Sequence, residues 1–376
     1  MKSLYVKTIM VVLIVCLVAV TGFTAGQRDE AVIRIGVAGA HSGDLASYGL
    51  PTVNAAELVA EMYNAEGGIN GARVQLIVED DVCQPEVAAN IAAKLVGDGV
   101  VAVIGHICSG ATFAALGTYL DSDILAISPS ATAPDLTQSG EYPNFFRTIA
   151  SDDAQARMQV DFALDTLNVR RIAVLHDRGD YGRGLAENAR DFIQADGRGQ
   201  VVVFDGVTPG AVDYSAIIAR IEQSNADAVI YGGYHPEASR IVGQMRDRGM
   251  QTLFISGDGV KDDTFIQTAG PASEGVYATG PMDLSGNPVA MDAARRHREK
   301  YGEDPGPFFL EAYAAALALF NAIEIGGTDY DGIANALRNN TVDTSVGPIR
   351  FDRRGDAEGV GFAVYQVQNG VYVELR

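Results

Sequence analysis

At 376 residues, with 47% hydrophobic and 20% charged side chains, the chain has material for two ordinary domains and a sizeable core, which argues against wholesale disorder. Its formal charge of −20 speaks against nucleic acid or an anionic membrane surface as a partner, because both call for clustered Lys and Arg. The acidity reads most simply as solubility.

Lys2 and Lys7 precede an uninterrupted apolar stretch, Ile9 to Val20, followed by the small residues of TGFTAGQ. A charged start, an apolar stretch of this length and a small-residue zone mark a secretory signal peptide, assigned to residues 1–26. Cleavage near Gly26 removes both lysines and moves the net charge from −20 to −22. A retained anchor is the alternative, since no charge occurs between Lys7 and Arg28, but the strictly apolar part is short for a span. Cys16 follows Ile14 and Val15 rather than small residues, which speaks against lipidation. The protein is therefore expected in the periplasm or otherwise outside the cytoplasm. Cys83 and Cys108 remain in the mature chain, and in an exported protein an even pair reads first as a disulfide.

Past the leader, apolar runs alternate with helical patterns. VIRIGVA (32–38), VQLIVED (74–80), VVAVIG (100–105) and ILAISP (124–129) are short and rich in β-branched residues, as strands buried on both faces of a parallel sheet should be. Between them, Val87, Ala88, Ile91, Ala92, Leu95 and Val96 repeat with helical spacing behind Pro85 at a helix start. A second series follows FFRTIASDD (145–153), with strand candidates RIAVLHD (171–177), VVVFDGV (201–207), DAVIYGGY (227–234) and TLFISGDG (252–259). Two successive series of this kind predict an α/β fold of two doubly wound, Rossmann-like lobes, whose ligands bind beyond the carboxyl ends of the strands.

After EGVYATGP (274–281) the pattern changes. A polar helix is expected around 288–301, then FFLEAYAAALALFNAIEI (308–325), apolar on nearly every face. Glu311, Asn321 and Glu324 argue for a buried helix there rather than a membrane span. The end of the chain reads as strands with a hairpin turn at Gln368-Asn369-Gly370.

GHICSGAT (105–112) gathers His106, Cys108 and Ser109 behind a strand and raises the question of an exported hydrolase. A nucleophilic cysteine needs a histidine to deprotonate it and a third group to orient that histidine. Adjacency of Cys108 and His106 is weak support, and Cys83 is available to oxidise the thiol. The remaining histidines are scattered without metal-ligand spacing, so no metal is expected. Neither a dinucleotide fingerprint nor a P-loop occurs, and no cofactor is expected. DRGDYGRG (177–184) reads as a turn, and Asp80-Asp81 and Asp152-Asp153 as strand-end and helix-start acids.

The same loops read better as a binding site. Ser109 opens a helix, where unpaired amides and the dipole attract an anion. SPSAT (128–132) adds Thr132 from the same lobe, while the other lobe contributes Tyr234 and Asp258. An acid across a cleft from carboxylate-binding groups complements an α-amino acid zwitterion.

GAHSGDLASYG (39–49), NAEGGINGARVQLIVEDDVCQP (64–85), IGHICSGAT (104–112), ISPSATAPDLT (127–137), DYGRGLAE (180–187), YGGYHPE (231–237) and VDTSVGPIRFDRRGD (342–356) together resemble the branched-chain amino acid (Leu/Ile/Val) binding proteins of bacterial ABC transporters, type I periplasmic binding proteins. The resemblance spans essentially the whole mature chain. It implies two lobes, 31–148 with 281–357 and 149–280 with 358–376, joined by three hinge crossings near Arg147–Ser151, Tyr277–Pro281 and Asp356–Gly361. It implies a Cys83–Cys108 disulfide beside the site. Ser109 and Thr132, with the backbone of Ser130, would bind the ligand carboxylate. Tyr234 and Asp258 would receive the ammonium with Tyr181 nearby, and Tyr48 and Phe308 would wall the side-chain pocket. Asp258 stands where relatives usually have glutamate, and Ser130 where they usually have alanine, which bears on strict leucine-type specificity. The implied protein is not an enzyme; it is expected to be a monomer that delivers a small amino acid to a membrane permease driven by a separate ATPase. The same fold binding an amide, a urea or another small carboxylate, for transport or sensing, is the alternative.

Overall fold

The computed structural model describes residues 31–284 and 286–375, so the leader assigned to residues 1–26 lies outside the described residues. The first apolar runs form β1 (Val32–Gly39), β2 (Arg73–Asp80), β3 (Ala102–Ile104), β4 (Leu125–Ser128) and β5 (Phe145–Arg147), in the sheet order β2-β1-β3-β4-β5. Adjacent members of the set β1, β3, β4 and β5 pair in parallel. Helices α1 (Ala46–Ala65), α2 (Pro85–Gly97) and α3 (Ser109–Leu120) connect them, with a single turn, α4 (Asp135–Gln138), before β5.

The absence of polar alternation in these strands has a direct cause. Ala102 and Ile104 of β3, Leu125 and Ile127 of β4 and Phe146 of β5 face one core, whereas Val103, Ala126 and Phe145 face another built with α2 and α3. Both faces are covered, so both alternate sets must be apolar. Each fully buried aliphatic side chain contributes about 1.5–3 kcal/mol of hydrophobic stabilisation.

The chain then enters a second lobe through α5 (Asp152–Asp161), prolonged by a π-turn over Phe162–Thr166. There follow β6 (Arg171–His176), α6 (Asp180–Asp196), β7 (Gln200–Gly206), α7 (Ser215–Gln223), β8 (Ala228–Gly232), α8 (His235–Asp247), β9 (Leu253–Ser256), α9 (Asp263–Ala269) and β10 (Tyr277–Pro281). It returns to the first lobe with α10 (Pro288–Tyr301), α11 (Phe309–Gly326), α12 (Tyr330–Asn339) and a small antiparallel pair, β11 (Val342–Thr344) and β12 (Gly347–Ile349). β13 (Phe362–Gln368) and β14 (Val371–Leu375) then complete a second sheet, ordered β14-β13-β10-β9-β8-β6-β7. Asn369 and Gly370, both at positive φ, make the expected hairpin turn between these last two strands.

α11 carries the long apolar segment of the sequence. Residues all along it are buried against α1, α12 and the first sheet, which explains why it is apolar on nearly every face.

Three segments run between the lobes. Residues 148–151 link β5 to α5, and residues 357–361 lead into β13. The second crossing differs from expectation. Tyr277–Pro281 is itself a strand, paired antiparallel with Phe362–Gln366, so the chain leaves the second sheet only after Pro281, before α10 begins at Pro288. The sheet holds the five residues because every one of them has a partner in β13.

The parallel cores β2-β1-β3-β4-β5 and β7-β6-β8-β9-β10 have the same order. That order reverses between β1 and β3 in one lobe and between β6 and β8 in the other, and the crevice beyond such a reversal is where doubly wound sheets bind ligands.

Candidate ligand-binding cleft

Residues just past the carboxyl ends of the strands of both sheets meet around a cavity of ≈ 280 Å³ lined by Tyr48, Ile107, Cys108, Ser130, Tyr181, Tyr234, Asp258, Gly259 and Phe308. Tyr48, Ile107, Cys108 and Ser130 follow β1, β3 and β4, and Tyr181, Tyr234 and Asp258 follow β6, β8 and β9.

The lobes touch across this cavity. Tyr48 donates its hydroxyl to the carbonyl of Gly259 over 2.8 Å, and Ser47 Oγ donates to Asp262 Oδ2 over 2.5 Å. The Tyr48 ring packs against Tyr234, His235 and Phe308 at centroid distances of 6.2, 5.5 and 5.7 Å. These contacts define a closed arrangement, and the chain from Ile33 onward forms one compact unit.

Glycines allow the second lobe's wall to form. A Cβ on Gly182 would lie 2.5 Å from the Gly232 carbonyl oxygen, so only glycine lets the start of α6 sit against the end of β8. That approach brings the rings of Tyr181 and Tyr234 to 5.2 Å. Gly182 of DRGDYGRG therefore serves the packing of α6 on β8, beyond the turn expected of that stretch. On the first lobe, Phe308 adopts the left-handed region (φ 59°, ψ 7°) to cap α11, an uncommon conformation for a bulky residue and one that recurs at ligand sites.

Asp258 is 2% exposed and accepts hydrogen bonds from Tyr181 (2.6 Å) and from the Gly259 amide (3.1 Å). Burial raises its carboxyl above the ordinary range, and the donors around it pull the other way. Tyr48, Tyr181 and Tyr234 are held well above 10 by burial, so they are neutral hydrogen-bond donors.

A residue read from sequence as a helix-start acid proves central. Asp152 is the first residue of α5 and fully buried, and neither of its carboxylate oxygens has a hydrogen-bond partner among the described residues. Burial first and the Asp258 carboxylate second push Asp152 well above the usual range. Gln155, one turn further on and also fully buried, has both amide atoms unpaired by hydrogen-bond geometry, as does the Thr132 hydroxyl. Both stand close enough to the carboxylates to favour their charged forms. Buried polar atoms without partners are costly, and this group of them adjoins Asp258 at the cavity wall. The signal was present in the sequence. Asp152, Gln155, Ala156, Gln159 and Val160 occupy one buried stripe at helical spacing, and three of the five are polar.

Of the eight ligand residues expected from sequence, Tyr48, Ser130, Tyr181, Tyr234, Asp258 and Phe308 line the cavity. Ser109 and Thr132 are buried and outside its lining. Ser109 is the first residue of α3, whose start carries no side-chain cap, and its Oγ accepts from the Ala133 amide at 3.2 Å.

Cys83 and Cys108 form the expected disulfide, with Cα atoms 5.6 Å apart. His106 is 1% exposed, and its ring nitrogens lie 2.5 Å from Asp81 Oδ2 and 2.9 Å from the Tyr119 hydroxyl. Asp81 also accepts from the Cys83 amide, so this triad braces the disulfide loop. The thiol and the free imidazole that a Cys108/His106 nucleophile needs are both otherwise engaged. Among the described residues no cluster of His, Cys, Asp and Glu could hold a metal.

Two doubly wound lobes that meet over a small polar-floored cavity define a class, the two-domain proteins that close on a small ligand. A family model for periplasmic binding proteins matches residues 32–371, and the chain belongs to that family. The Leu/Ile/Val-binding protein of Escherichia coli (strain K12) is 38% identical over 333 residues, covering 89% of this chain and 90% of that protein. A leucine-, isoleucine-, valine-, threonine-, and alanine-binding protein of Pseudomonas aeruginosa is 36% identical over 349 residues, covering 93% of both. Among solved structures, a branched-chain amino acid transporter substrate binding protein of Streptococcus pneumoniae in complex with isoleucine superimposes with a TM-score of 0.81 at 27% identity, covering 92% of this chain and 100% of that one.

Proposed function

We propose that this protein is an exported solute-binding protein of an ABC importer that closes on a small aliphatic amino acid and presents it to a membrane permease powered by a separate ATPase. The observation that carries the reading is Asp258, a buried acid set across a cavity between the lobes from the uncapped start of α3. A carboxylate on that side would be held by the amides opening α3, by Ser109 and Thr132 and by the backbone of Ser130. The ammonium would lie against Asp258 and Asp152, with Tyr181 and Tyr234 as neutral donors. Tyr48, Ile107, the disulfide and Phe308 would enclose an apolar side chain. The relatives named for branched-chain amino acids support this class, and the Pseudomonas aeruginosa protein, whose name includes threonine and alanine, supports a small ligand over strictly leucine.

The lobes in this reading are residues 31–148 with 282–357 and residues 149–281 with 358–375, Pro281 moving to the second lobe because it pairs with Phe362, and the exported protein acts as a monomer. Ligand shifts the open–closed equilibrium only through contacts made in the closed state, chiefly those to Asp258, Asp152 and Tyr234. Isothermal calorimetry with valine, isoleucine, leucine, threonine and alanine tests it. At least one of them should bind, and Asp258→Asn should weaken that binding about 10- to 150-fold, the worth of a hydrogen bond to a charged group. Binding of amides or simple carboxylates with no response to any zwitterion would overturn the assignment of Asp258.

A further inference from the structure

We propose that Glu311 is a proton switch on lobe closure, closing being favoured when its carboxyl is protonated and opposed when it is charged. This rests on the hinge-closing reading of the fold but on none of the residues assigned to the ligand.

Glu311 lies in the first turn of α11, on the first lobe, and is 7% exposed. It lines a small cavity together with residues of all three crossings, Thr148 and Ile149 from the first, Met282 and Leu284 from the second, and Val360 and Gly361 from the third, and its backbone carbonyl accepts from the Thr148 hydroxyl at 2.8 Å. It also faces the wider cleft that borders the ligand cavity at Asp258 and Phe308. Among the described residues no other side chain makes a hydrogen bond or ion pair to its carboxyl. The groups around it are Lys261 and Asp258 from the second lobe, Asp283 from the second crossing, and Tyr365, Tyr372 and Glu374 from β13 and β14. Lys261 is turned to the ring of Tyr365, with its Nζ 4.3 Å from the centroid, and Glu374 accepts from the Tyr365 hydroxyl.

Burial therefore acts on Glu311 with little to oppose it. It pushes the carboxyl up to about 7, although its own backbone amide and the Lys261 charge pull it down. Second-lobe residues Lys261, Tyr365 and Tyr372 and crossing residues Met282 and Leu284 line the cleft with it, opposite residues 305–310 of its own lobe. Opening the hinge therefore brings water to it and moves it toward an ordinary glutamate value of about 4.3. Between those values the closed state holds a proton that the open state does not. Closing is thus unhindered at low pH and loses its advantage as pH rises through about 7. From pH 5.5 to 8 the closing constant should fall on the order of tenfold.

Small-angle X-ray scattering of the ligand-free protein at pH 5.5 and pH 8 tests this without assuming any ligand. The wild type should expand as pH rises, and Glu311→Gln, a permanent mimic of the neutral acid, should keep one radius of gyration at both. Glu311→Leu should behave like the glutamine variant, which separates loss of charge from a local packing defect, and circular dichroism verifies that both fold. Lys261→Met should move the wild-type transition to higher pH, because it removes the charge that favours the anion. A wild-type radius that does not respond to pH, or a glutamine variant that follows the wild type, overturns the proposal. Failure of every amino acid to bind would leave the scattering result standing.

Discussion

Arg147 ties the first crossing to the third through Asp356, its Nε donating to Asp356 Oδ1 over 2.6 Å. The guanidinium is fully buried, and it also donates to the carbonyl of Ala133 and to Thr137 Oγ1, while the backbones of Arg147 and Asp356 form an isolated parallel bridge. Two of the three strands that the hinge bends are therefore fastened at their first-lobe ends, and bending is confined to the few residues beyond.

Removing one partner of a buried pair leaves the other uncompensated. Arg147→Met should lower the unfolding free energy by about 3–5 kcal/mol, whereas Asp356→Asn, which keeps an acceptor on a partly exposed residue, should lower it by about 1–3 kcal/mol. Urea denaturation followed by circular dichroism measures both. No loss in either variant would show that the strap acts through the backbone bridge and not through the charge pair.

The disulfide makes a second prediction. Cys83 and Cys108 are 25 residues apart, and closing a loop of that length stabilises a fold by about 3.5 kcal/mol in the chain-entropy model. Replacing both cysteines by serine should cost about 2–4 kcal/mol, and reducing agent should shift the wild-type midpoint by a similar amount. Because Cys108 also lines the cavity, ligand affinity should fall in the same variant. A wild-type midpoint indifferent to reductant would contradict the role given to this bond.

The second lobe carries a pH-dependent weakness of its own at Asp177. Burial foremost pushes its carboxyl up to about 7, against an unfolded value of about 3.9, although the Gly179 amide donates to it over 2.9 Å. The folded state binds the extra proton between those values, so the stability it contributes is full below about pH 4 and is lost as pH rises through about 7. Asp177→Asn keeps the acceptor for Gly179 and should gain on the order of 1–3 kcal/mol over the wild type at pH 8, with no gain at pH 4. Paired urea titrations at the two pH values decide it, and a gain independent of pH would assign the effect to packing.

Much of the cleft was legible because its parts sit where strand ends meet loops, and strand ends can be read from apolar runs. Tyr48, Ser130, Tyr181, Tyr234, Asp258 and Phe308 line the cavity, and it was the family resemblance rather than any local pattern that singled out most of them. Asp152 and Gln155 were passed over because an acid at a helix start has an ordinary explanation in the helix dipole. What makes them unusual is that the stripe they occupy faces inward, and the direction a helix faces is settled by what packs on it. The second crossing was misplaced for a similar reason, since only pairing with β13, some 85 residues later, keeps Tyr277–Pro281 in the sheet.

The sequence by itself determined the two βα series and the apolar character of their central strands, because local apolar periodicity and turn chemistry encode them. Only the tertiary structure decided that the lobes close with Tyr48 on the Gly259 carbonyl, that Asp152 stands unpaired beside Asp258, and that Glu311 is buried where residues of the three crossings meet. Each of these depends on desolvation by residues far away in the chain. Burial is a property of what arrives from elsewhere, and no local pattern around a carboxyl group records it.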